Sequence, residues 1–262
     1  MSSLTIILPT FNEVENIPFL VKDIAQEMLD RPSMNLSVLV VDDNSTDGTQ
    51  EVVLDLESKF EFLRLIGRTA EPSLPNSIAE GICHAKSDFV SWLDADGSMP
   101  ISVLFQMWDR LGIENLDFIV GSRFVEGGGF KGVEVSGKTP VKQIVKNIRE
   151  SEDSLMAVVL SRVLNELLRL ILPCRIRDLT SGFVISRTNL IEHNDVSGSY
   201  GDYCPKLLYK LSKKTDRFVE HPYICLPRVS GVSKTGTNLR TYIRRGLPYL
   251  TSSLRARFNS IL

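Results

Sequence analysis

The chain has 262 residues, 43% hydrophobic and 24% charged, without a low-complexity tract or repeat, which suits one large α/β domain or two smaller ones. Its net charge of −2 conceals an asymmetry: residues 239–262 hold Arg240, Arg244, Arg245, Arg255 and Arg257 and no acid, leaving −7 on the rest. That acidic body argues against nucleic-acid binding, and Cys83, Cys174, Cys204 and Cys225, scattered without a C-x-x-C, fit reduced, mostly buried fillers of a cytosolic protein.

No charged n-region followed by an apolar h-region opens the chain, so no signal peptide is expected. No stretch reaches the roughly 18 apolar residues of a membrane span. The nearest, 155–172, is interrupted by Ser161, Arg162, Asn165, Glu166 and Arg169 and reads as an amphipathic helix.

Residues 4–8 form a short apolar run, a strand buried on both faces, ending in Pro9, Thr10, Phe11, Asn12 and Glu13. Helical spacing of Ile17, Leu20, Val21, Ile24, Ala25 and Met28 follows, closed by Arg31 and Pro32. A second strand, 36–41, delivers Asp42 and Asp43, and the next helix carries Val52, Val53 and Leu56. A strand at 62–66 and a helix at 78–86 lead to a fourth strand, 89–93, which runs straight into Asp94 and Asp96.

Strands alternating with helices predict a mostly parallel central sheet with helices on both faces, a Rossmann-like α/β fold, and such sheets bind ligands at the carboxyl ends of their strands. Three acidic or polar strand ends then line one crevice. If the backbone stays extended past the fourth strand, Asp94 and Asp96 project from one face. Two converging carboxylates suit Mg²⁺ or Mn²⁺, hard cations that take one or two carboxylates when phosphates complete the shell. An isolated Asp-x-Asp equally describes a solvated loop; its neighbours favour the cation.

A helix around 103–111 and a strand at 118–120 reach Gly121, Ser122 and Arg123. From Glu126 the chain is glycine-rich and irregular as far as Pro140, too long for a simple connector. Helical periodicity returns at 141–149 and 155–172; a strand at 183–186, a helix around 206–211 and a strand around 218–226 complete the body. The chain thus divides into a first half (1–125), a glycine-rich, charged insertion or lid (126–154), a second half with a small C-terminal region (155–235) and a basic tail (236–262).

Six blocks in order, PTFNEVENI from Pro9, VVDDNSTDGT from Val40, LDAD from Leu93, VGSRF from Val120, DLTSGF from Asp178 and RVSGVSK from Arg228, resemble the inverting family 2 glycosyltransferases of GT-A fold, dolichol-phosphate mannose synthase-like group. The resemblance implies that 1–125 is a nucleotide-sugar-binding half and 155–235 an acceptor-side half, that Pro9, Phe11, Glu13, Asp42 and Asp43 border the nucleotide sugar and that Asp94 and Asp96 handle metal and diphosphate. It further implies that Arg123, Arg228 and Lys234 hold the acceptor phosphate and the leaving diphosphate, with Ser181 on the acceptor-side loop. Three departures stand out. Ser98 replaces a better metal-assisting residue, residues 73–77 lack the group's glycine-rich turn, and the insertion is longer and more charged.

The implied reaction moves mannose or glucose from a GDP or UDP donor to a polyprenyl phosphate. A phosphate acceptor is already anionic and needs no general base, which suits a chain without an evident catalytic histidine. A sugar or protein hydroxyl acceptor would need a carboxylate base, for which Asp202 is available, although it equally suits a helix N-cap. A nucleotide-sugar-binding subunit without turnover is the third reading. The five arginines of 239–262, with Leu247, Tyr249, Leu250, Leu254 and Phe258, suit peripheral contact with an anionic membrane on its cytoplasmic face; a solvated helical face or a dimer contact explains them equally.

Overall fold

The apolar strand runs pair as one twisted layer in the computed structural model, which describes residues 2–130, 133–134, 155–228 and 239–259. Ten strands alternate with helices: β1 (Ser3–Thr10), α1 (Ile17–Leu29), β2 (Asn35–Asp42), α2 (Thr49–Glu57), β3 (Leu63–Gly67), α3 (Leu74–His84), β4 (Phe89–Trp92), α4 (Ile101–Ile113) and β5 (Phe118–Ser122) come first. Then follow β6 (Gly129–Phe130), β7 (Val133–Glu134), α5 (Leu155–Ile171), β8 (Val184–Arg187), α6 (Tyr203–Lys214), β9 (Phe218–Pro222), β10 (Ile224–Cys225) and α7 (Leu239–Asn259). The expected helix at 141–149 and Lys234 lie outside the described residues, as does most of the 126–154 insertion.

Seven strands form the main sheet in the order β3-β2-β1-β4-β8-β5-β9, and β10-β6-β7 form a small second sheet. All main-sheet pairings are parallel except those of β8, which runs antiparallel between β4 and β5. The period-2 alternation of strand side chains divides the core between two faces. Ile6, Leu8, Val38, Val40 and Ile185 pack against α1, α2 and α4. Ile7, Leu39, Val41, Val90, Trp92 and Val184 pack against α3, α5 and α6. The expected α/β fold with helices on both faces is therefore present.

Three local expectations shift. Helix α3 starts at Leu74, not 78, because Ser73 caps it, its side chain accepting from the Asn76 amide, and Pro75 has a backbone pre-set for the first turn. The stretch 73–77 is thus a helix start and not an open turn. Gly81 lets α3 close on β1, since a Cβ there would lie 2.5 Å from Ile7 Cγ2. The strand expected at 218–226 breaks at Tyr223, so that β9 extends the main sheet while β10 joins the small one. Finally, α6 begins at Tyr203 and runs to Lys214, longer than its most regular apolar stretch suggested.

Candidate functional site

The register of β1 with β2 sets Thr10 beside Asp42, so the first two strand ends open side by side. Asn12 and Asn44, at φ 56° and 59°, turn the chain aside there in a left-handed conformation that Asn tolerates better than most residues. The two loops are then tied together: the Asn12 amide donates to Ser45 Oγ at 2.8 Å, and the Thr46 amide to Asn12 Oδ1 at 2.9 Å. Glu13 joins through its amide, which donates to Thr49 Oγ1 at 3.0 Å.

β4 ends at Trp92, so both aspartates stand beyond the strand; Asp96 lies in a turn followed by Gly97, whose φ of 76° favours glycine. They still act on each other. Asp94 opens into the cleft, yet burial, and after it the charge of Asp96, push its carboxyl up to about 7, against the pull of Arg228 and Arg123. Asp96 is buried; it accepts the Ser98 amide at 2.9 Å and pairs with Arg228 Nη2 at 3.0 Å. No third carboxylate, thiolate or imidazole joins them among the described residues. A divalent cation would fit as a partly protein-bound ion, relieving the repulsion between the two carboxylates and taking its other oxygens from diphosphate and water. Ser98 contributes its amide to Asp96 and its carbonyl to the Leu226 amide at 2.9 Å.

A cleft of about 220 Å³ gathers Pro9, Thr10, Phe11, Glu13, Asp43, Asp94, Asp96 and Arg228, with Pro72, Ser73, Leu74, Ser199 and Tyr200 on its other walls. Most of the residues singled out from sequence therefore meet in one place. Asp42 does not: its carboxylate is fully buried and accepts from the Ser45 amide at 2.9 Å, Ser45 Oγ at 2.5 Å and Gln50 Nε2 at 2.6 Å. Of the two neighbouring acids, Asp43 is the one on the cleft wall, held by an ion pair with Arg68 and by Ser77 Oγ at 2.7 Å. Arg68 carries no signal in the sequence that would have marked it.

Arg123 stands apart from the walls of this cleft. It grips Asp178 with two parallel bonds, Nε to Oδ2 at 2.8 Å and Nη2 to Oδ1 at 2.9 Å, and also reaches Thr180 Oγ1 at 2.8 Å. Burial alone would pull its guanidinium down; Asp178 outweighs that and holds it above its ordinary value. Arg123 and Thr180 line a second, largely apolar groove of about 390 Å³ between α5 and α7, walled by Leu160, Val163, Leu164, Leu167, Leu247 and Leu250. Tyr200 and Arg245 stand at its polar side. Ser181 is buried, its Oγ accepting the Phe183 amide at 3.3 Å, and it lines neither cavity.

Asp202 stands at the N-cap position of α6 but does not cap it. Its Oδ1 instead accepts from the Ser199 amide at 2.8 Å, Ser199 Oγ at 3.0 Å and the Tyr200 amide at 2.9 Å. Reasoning from sequence weighed that segment only for Asp202 and missed Tyr200, which lines both cavities. The segment SYGDY offered an aromatic beside two small residues, a weak signal in isolation.

The chain is similar to several known proteins. The chain is 27% identical over 241 residues to a dolichol-phosphate mannosyltransferase of Pyrococcus furiosus, covering 92% of this chain and 61% of that protein's length. It is 29% identical over 244 residues to a polyprenol monophosphomannose synthase of Mycolicibacterium smegmatis, covering 90% of this chain and 82% of the other. The fold is similar to that of the Mycobacterium tuberculosis glucosyl-3-phosphoglycerate synthase solved with Mn²⁺, UDP-glucose and phosphoglyceric acid, at a TM-score of 0.63 and 15% identity, covering 98% of this chain and 80% of that one. The model of glycosyl transferase family 2 matches residues 5–193, and the chain belongs to that family.

Proposed function

We propose that the chain moves a hexose, mannose or glucose, from a GDP- or UDP-linked donor to a polyprenyl phosphate, inverting the anomeric centre and using Mg²⁺ or Mn²⁺. The observation that carries this reading is the meeting of an acidic cleft and an apolar groove at one residue, Tyr200. An acceptor with a charged head and a long apolar tail fits that pairing better than a soluble sugar does. The mannosyltransferase names of the two relatives support it.

In this scheme Pro9, Phe11, Glu13 and Asp43 border the nucleotide. Asp94 and Asp96 hold the cation, which supplies positive charge against the negative charge developing on the leaving diphosphate. Arg228, already beside Asp96, adds a fixed cation at the same place. Arg245 gives the groove a positive mouth for the acceptor phosphate, and Arg123, paired with Asp178, stands on the same wall. Lys234 and Ser181 retain only the roles their motifs imply. The hydroxyl-acceptor alternative needs Asp202 as a base, and a buried carboxylate accepting three local bonds is poorly placed to take a proton from a substrate.

No helix among the described residues is long and apolar enough to cross a membrane. Val159, Val163, Leu167 and Leu170 on α5 and Leu247, Leu254 and Phe258 on α7 are exposed, beside Arg244, Arg245 and Arg255. This supports peripheral contact, each arginine near an anionic surface contributing about 1 kcal/mol.

The test is incubation with labelled GDP- and UDP-hexoses, Mg²⁺ or Mn²⁺ and farnesyl phosphate, counting label in the organic phase. Transfer is expected, with Asp94→Ala and Asp96→Ala lowering it by about 10³-fold or more, the order seen when a group stabilising transition-state charge is lost. Equal transfer by the variants would remove the metal assignment; label only in sugar or protein hydroxyls would remove the acceptor.

A further inference from the structure

Tyr200 is held by two independent sets of contacts. From within its own turn, the Asp202 carboxylate gathers the amides of Ser199 and Tyr200. From outside, α7 leans on the same turn: Ser252 Oγ donates to the Asp202 carbonyl at 3.1 Å, and Tyr249 Oη lies so close to Gly201 that a side chain there would collide with it. The residue is nonetheless 42% exposed, so this bracing does not serve to bury it. Tyr200 lines both the donor cleft and the groove, and its phenol lies within the fields of Asp94, Arg228 and Arg245.

We propose that Tyr200 is a positioning residue for the acceptor, a rigid partition between the two cavities that keeps the apolar tail in the α5–α7 groove while the anionic head reaches the donor sugar. The inference rests on the amphiphilic acceptor argued above. Bracing by α7, which also walls the groove, makes the place of the partition depend on the element that the tail would touch. The flat ring, not the hydroxyl, does the separating, because no hydrogen bond fixes the hydroxyl among the described residues. Loss of the ring merges the cavities and leaves the head group unguided. The donor-binding wall of Pro9, Phe11 and Asp43 is unaffected.

The experiment compares the full chain with Tyr200→Ala and Tyr200→Phe, measuring KM for farnesyl phosphate, KM for the donor and thermal melting. Tyr200→Ala is expected to raise the acceptor KM about tenfold, with the donor KM within about twofold and unchanged melting; Tyr200→Phe brings the acceptor KM back to within about twofold of the parent. An unchanged acceptor KM in Tyr200→Ala overturns the proposal. A parallel rise in donor KM does so too, since it would put Tyr200 in the donor site. Failure of phenylalanine to rescue would assign the effect to the hydroxyl and refute the partition. A parent chain that transfers nothing to any polyprenyl phosphate removes the proposed function and this inference with it, whereas an active parent with an unaltered Tyr200→Ala removes the inference alone.

Discussion

Replacing Asp178 by asparagine should destabilise the fold at a cost that follows from its contacts. The carboxylate is fully buried in the loop before β8 and accepts five bonds: from the Arg123 amide at 3.0 Å, its Nε and Nη2, the Thr180 amide at 3.2 Å and Thr180 Oγ1 at 3.1 Å. Asparagine keeps the shape but removes the charge and turns an NH₂ group toward a guanidinium that has only donors. Breaking a buried pair from one side costs about 3–5 kcal/mol because the remaining charge stays in the interior. Arg123 keeps 14% of its side chain exposed and its bond to Thr180, so the lower end, about 3 kcal/mol, is expected. In a domain of this size that is roughly 6–12 °C of Tm. Urea unfolding should show a lower midpoint with an unchanged slope. A loss below about 1 kcal/mol would refute the reasoning, placing the pair among those solvated well enough to contribute little.

Two further outcomes are expected. Asp117 is buried, and although burial alone would raise it, bonds from Arg217, Thr215 and Arg187 hold its carboxyl down at about 2, against an ordinary 3.8. A depressed carboxylate stabilises fully above its unfolded value and loses that contribution as pH falls through the folded one, so up to about 2 kcal/mol should disappear between pH 4 and 2. Arg217 is 53% exposed, and solvent screening takes the expected figure below that bound. Urea curves across this range should fall less steeply for Asp117→Asn than for the parent; identical slopes would exclude Asp117 as a source of acid lability. In the core, Gly81→Ala should destabilise by about 1–3 kcal/mol although alanine is the better helix former, because its methyl would meet Ile7 at 2.5 Å. A melting temperature above the parent's would show that α3 shifts freely on β1.

The strand–helix alternation was legible because buried parallel strands write themselves as short apolar runs, and the helices between them as amphipathic repeats. The cleft was legible for a related reason. Such a sheet collects its functional groups at strand ends, where Pro9, Asp43 and Asp94 follow directly on apolar stretches. What failed to show were relations across the chain. Nothing near Arg123 in sequence announces Asp178, so the ion pair that holds this cation beside the neighbouring groove could not be read from its own segment. Asp42 and Asp43 are adjacent and chemically alike, and only the strand's alternation decides which faces the cleft. Tyr200 was hidden because its importance lies in α7, which packs against its turn from far along the chain.

The antiparallel β8 has a bearing on how the protein comes into being. Residues 3–122 include the edge of β4, with Val90 and Trp92, but its neighbour in the finished sheet is formed from residues 184–187. Until that segment is synthesised, β5 has no partner on that side and β4 presents an open row of backbone donors and acceptors. The sheet therefore closes late, across a long stretch of chain, a pairing slowed by loop-closure entropy that leaves an exposed edge as a template for aggregation in the interval.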